Sequence, residues 1–68
     1  MKFQTFTGHS TNGLDLAVRD AYKDYESWTE TNRYAVTIEH APATTANICI
    51  VNDEAEYWFT LTITYREN

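Results

Sequence analysis

Two histidines, one cysteine and one acidic run are the residues of this chain that could act as base, nucleophile or metal ligand. His9 and His40 lie far apart in the sequence, and no Ser/His/Asp or Cys/His arrangement sets a nucleophile beside its base. His40, two residues before Pro42, reads as a surface-loop histidine. Cys49 lies between Ile48 and Ile50, which predicts a buried, inert thiol, since burial raises a thiol's pKa. The run Asn52-Asp53-Glu54-Ala55-Glu56 offers oxygen ligands to a hard cation. It lacks the spacing and the glycine of a helix–loop–helix calcium site and reads as a solvated turn. No Cys/His cluster has zinc spacing. The expectation is a protein that is not an enzyme and has no metal ligands of its own. What remains is aromatic: 15% of the residues are Phe, Trp or Tyr, more than a small core can hide.

Periodicity predicts the strands and the helix that carry these side chains. Lys2 to Thr7 is rich in Thr and Phe and ends at Gly8, which predicts a strand with Phe3 and Phe6 on opposite faces. Leu14, Ala17, Val18, Ala21, Tyr22, Tyr25 and Trp28 recur at spacings of three and four, one apolar stripe of an amphipathic helix. Asn12 is the expected N-cap, with Ser10 competing, and Asp15 meets the positive helix end. Asp15/Arg19 and Asp20/Lys23 have the spacing of helical ion pairs on the solvated side. Thr29 to Arg33 is a polar connector. Tyr34 to His40 alternates as a strand with Tyr34, Val36, Ile38 and His40 on one face, and Pro42 ends or bends it. Asn47 to Val51 is a possible short strand. Tyr57 to Glu67 carries the strongest alternation. Tyr57, Phe59, Leu61, Ile63 and Tyr65 face the helix; Trp58, Thr60, Thr62 and Thr64 face away. The fold expected is α+β, a single β-α-β-β domain over residues 1–68 with an antiparallel sheet partly wrapped round one helix.

At 68 residues a core is marginal, since such a chain buries only about 60% of its unfolded surface. One cysteine excludes an internal disulfide, so self-association is the route left to stability. The net charge is −5, and the five Lys and Arg residues are scattered. Nucleic acid and anionic membrane surfaces are therefore unexpected partners. No stretch approaches the roughly 20 apolar residues of a membrane helix, and the N-terminus lacks a signal-peptide pattern, which predicts a cytoplasmic protein.

A strand, a Ser-x-Asn-Gly turn, a helix opening on "LxxAVxxA" and two long strands resemble the dodecin family. The residues that carry the likeness are Gly8, Ser10, Asn12, Gly13, Leu14, Ala17, Val18 and Ala21. The resemblance implies β-α-β-β subunits, twelve to a hollow shell, that bind a flavin. A tryptophan at the start of the second strand stacks on the flavin in that family, often after an arginine. Counted without gaps, that place falls on Tyr34, preceded by Arg33. The family's flavin-binding glutamine falls on Trp58, so that polar contact is missing. The segment between the long strands is also a few residues longer than usual.

The residues themselves allow such a ligand. Tyr34 and Trp58 would be neighbours if their strands paired side by side. Two aromatic faces about 7 Å apart clamp a planar ring, each stack worth about 0.5–1.5 kcal/mol beyond area burial. Thr60 offers a hydroxyl to a ring edge, and Arg33 would meet a phosphate or ring edge. The expected function is a homo-oligomeric, dodecin-like protein that stores or sequesters a flavin, FMN or riboflavin, with a dodecamer implied by the resemblance. The alternative is a small acidic interaction protein, a phage-type inhibitor of a larger protein, with Trp58 and Tyr34 as interface anchors.

Overall fold

A computed structural model describes residues 1–68. Strand β1 (Lys2–Ser10) leads into helix α1 (Leu14–Asn32), followed by β2 (Val36–Ile38), β3 (Ala43–Val51) and β4 (Glu54–Glu67). The fold is α+β, with one helix and one four-stranded antiparallel sheet. β4 is the central strand. β1 lies along one side of it, from Lys2 opposite Tyr65 to Ser10 opposite Tyr57. β2 and β3 share the other side, β2 against Tyr65–Glu67 and β3 against Glu54–Thr62. Fourteen residues at about 3.3 Å each give β4 a length near 46 Å, and the molecule's longest dimension is 47 Å.

The helix side of the sheet follows the alternation of β4. Phe59, Leu61 and Ile63 are buried there with Phe6, Ala17 and Ala21. Leu14, Val18, Tyr25, Trp28, Ile38 and Tyr57 pack round these six. Phe6 meets Tyr25 and Trp28 edge-on at centroid distances of 5.7 and 6.0 Å. The two alanines and Gly8 let the backbones of α1 and β1 approach closely, because none has a side chain that would hold them apart. Phe3 points to the opposite face, as the period-2 pattern requires, and is exposed.

Several expectations are corrected. The helix begins one residue past the expected cap: Gly13 is the N-cap, with φ 144° and no side-chain cap bond. The Ser10 hydroxyl instead accepts the Asn12 N–H at 3.0 Å, which fixes the turn into the helix. The predicted Asp15/Arg19 and Asp20/Lys23 pairs are absent; the helix's ion pair is Arg33–Glu30, at 3.2 Å. The strand expected over Tyr34–His40 shrinks to three residues. Ala35 is drawn into a turn by its N–H bond to Asn32, and Pro42 lies in the irregular stretch between β2 and β3. The short strand at Asn47–Val51 grows to nine residues, because its whole length finds a ladder on β4. A two-residue turn joins the two strands, with Asn52 and Asp53 both at positive φ, 51° and 63°. Cys49 is exposed rather than buried, as are Ile48 and Ile50, because α1 covers β1 and β4 and stops short of β3. No helix is long and apolar enough to cross a membrane.

Candidate functional site

The face of the sheet away from α1 has no cover from its own chain. Its central row is set by register: His9 on β1, Trp58 on β4 and Asn47 on β3 stand side by side. Thr7, Thr60 and Thr45 form the next row. Residues opposite each other in an antiparallel pair point to the same face, so both rows lie open together. The His9 imidazole lies against the Trp58 indole, centroids 4.2 Å apart and tilted by 38°. Its Nε2 is 3.1 Å from Glu56 Oε1, a hydrogen bond if that nitrogen carries the proton. Glu56 stands opposite Cys49. The cluster is therefore an indole platform with an imidazole, a carboxylate, an amide and hydroxyls at its edges.

Tyr34 and Arg33 lie elsewhere. They occupy the turn after α1, where the Arg33 guanidinium sits 4.8 Å from the Tyr34 ring centroid. Asn68 ties this turn to the end of β4: its N–H donates to Ala35 O at 2.8 Å and its side-chain amide to Tyr34 O at 3.3 Å. A cleft of about 370 Å³ opens beside the turn, between Asn32 and Ala35, with Trp28 and Tyr65 as apolar walls and Glu67 at its rim. Trp28 and Tyr65 meet edge-on at 5.0 Å. Lys2 donates to Glu67 at 2.6 Å. That hydrogen bond holds the Glu67 carboxyl below its ordinary range and raises the Lys2 ammonium above its own.

The clamp expected within one chain is not formed. Trp58 and Thr60 belong to the open face, whereas Tyr34 and Arg33 lie beyond the far end of β4. β2 does pair with β4, but at Tyr65–Glu67 and not beside Trp58. Nine residues of strand, about 30 Å, separate Trp58 from Glu67. His9 is the side chain that sequence reasoning passed over. The signal was present: His9 shares the period-2 face of β1 with Phe3, Thr5 and Thr7, the row that must lie beside the outward threonines of β4. No three His, Cys, Asp or Glu side chains converge as metal ligands.

No family model, no curated protein and no solved structure matches this chain.

Proposed function

We propose that this chain is the subunit of a dodecin-like homo-oligomer that binds and sequesters a flavin, FMN or riboflavin, in the cytoplasm and without turnover. One observation carries the proposal. Large apolar side chains stand outside a core of six residues, with Tyr34 82% and Ile50 71% exposed. Tyr34 and Trp58 can then share a ring only across a contact between copies. One copy would supply Tyr34, with Arg33 beside the ring to meet a phosphate or ring edge. Another would supply Trp58, with Thr60 on the same face for a polar ring edge. A lone exposed thiol fits a reducing compartment.

The test is the native mass by light scattering, then titration of FMN and riboflavin by quenching of flavin fluorescence. Trp58→Ala and Tyr34→Ala should each weaken binding at least tenfold with the mass unchanged. Wild-type affinity in both variants would overturn the site. A monomer that binds no flavin would favour the acidic interaction protein. The net charge of −5 would then steer it to a basic partner.

A further inference from the structure

We infer that the outer edge of β3 is a contact between two copies of this chain, paired antiparallel about a two-fold axis at Asn47. The inference rests on the self-association proposed above and names its surface. β3 has nine residues, all exposed, and its ladder partner is β4 alone, so its other edge offers free N–H and C=O groups. Edge strands are commonly protected by charges, proline, bulges or a covering element. β3 has none of these. Between Glu39 and Asp53 there is no Lys, Arg, Asp or Glu, and Pro42 falls before the strand begins. The other edge of the sheet differs: β1 lies beneath α1, with Ala17 O where a Cβ on Gly8 would stand, and its Lys2 is held by Glu67.

The occupant is argued from the strand's own sequence. On one side of Asn47 stand small residues, Ala43, Thr44, Thr45 and Ala46; on the other stand three larger ones, Ile48, Ile50 and Val51, with the small Cys49 among them. A two-fold at Asn47 sets Ile48 opposite Ala46 of the second copy and Cys49 opposite Thr45. Ile50 then meets Thr44, and Val51 meets Ala43. Three of the four pairs set a branched apolar side chain against a smaller one on the same face, Cys49 and Thr45 are of similar size, and the two Asn47 amides meet each other. A parallel pairing in register would set isoleucine against isoleucine and alanine against alanine. The absence of charge matters because each copy carries −5, and a strand edge without carboxylates is a place where two such copies can meet. The contact is isologous and closes on itself, giving one eight-stranded sheet with both helices on the same side.

The register makes the test specific. Two Cys49 residues would lie four positions apart along the paired strands, with Cα atoms about 14 Å apart, too far for a disulfide. Thr45→Cys places a new thiol opposite Cys49 of the second copy, while within one chain positions 45 and 49 are again too distant to join. Mild oxidation of full-length T45C should give a covalent dimer whose disulfide peptides link position 45 to Cys49. Wild type should give none. Native-state hydrogen exchange on wild type is the second measurement, needing no substitution: the β3 amides that point away from β4, and so have no partner within one chain, should exchange roughly 100-fold more slowly than free amides. No protection of these amides in a protein of oligomeric mass would overturn the edge contact and leave self-association standing. A Cys49–Cys49 disulfide in wild type would overturn the register. A monomeric mass, with the edge free for a foreign strand, would overturn both proposals.

Discussion

Gly8 sits on β1 where the backbone of α1 comes closest, and its hydrogen is what permits that approach. A Cβ built there would lie 1.8 Å from Ala17 O and within 3 Å of Ala17 C and Ala21 N. These are backbone atoms of a helix and cannot turn aside as the tip of a side chain can. Gly8→Ala should therefore push α1 off the sheet and cost about 3 kcal/mol, at the upper end of ordinary overpacking. The urea midpoint measures it, and an unchanged midpoint would mean the helix has room to shift. The place of Gly8 is fixed by packing, whatever the ligand. Trp58 is the contrasting residue: it lies on the open face, 39% exposed, with His9 as its aromatic neighbour.

Among the elements, the β3–β4 hairpin shows what patterning reveals and what it hides. The helix was legible because its apolar stripe is long and faces one neighbour: Ala17 and Ala21 are buried and Leu14, Val18, Tyr25 and Trp28 line the core. β4 was legible because one face is buried and the other is threonine-rich. β3 was not. Its "ATTANICIV" has no alternation, since neither face is covered, and periodicity reports burial more than backbone conformation. Cys49 was misplaced for the same reason: flanking isoleucines signal a core only when something packs on them. Of the candidate site, Trp58 and Thr60 were legible and His9 was not, because register, not composition, sets who neighbours whom. The turn adds a test. Asn52 and Asp53 both hold positive φ, as a type I′ hairpin requires, and glycine is favoured at the second place. Asp53→Gly should stabilise the hairpin by about 0.5–1 kcal/mol, and Asp53→Val should cost about 1–2 kcal/mol. Paired urea melts read both, and equal midpoints for the two variants would contradict the turn geometry.

As a whole, the molecule is too long and too thin for its size. A globule of 68 residues has a radius of gyration near 11 Å; this one has 13.7 Å. Its surface of 4791 Å² exceeds the roughly 4,400 Å² of a typical monomer of this mass. The excess has a clear source. β1 ends opposite Tyr57, so the last pairs of the hairpin, Cys49–Glu56 to Val51–Glu54, project as a two-stranded ribbon with no third strand and no helix. Such a ribbon is marginal alone in water, and this one carries Ile50 and Val51 in the open. The six-residue core does not reach it, and the proposed contact with a second copy would give it a surface to rest on. If copies supply that surface, unfolding is coupled to dissociation and the melting temperature depends on concentration. For a dimer, each hundredfold dilution removes about 2.7 kcal/mol per pair, or roughly 1.4 kcal/mol per chain, which in a domain of this size lowers Tm by about 5–10 °C. Circular dichroism melts from micromolar to sub-millimolar chain measure this directly. A Tm that holds constant across that range would show that the single chain sustains its own fold, projecting hairpin included, and would remove the reason for requiring a second copy.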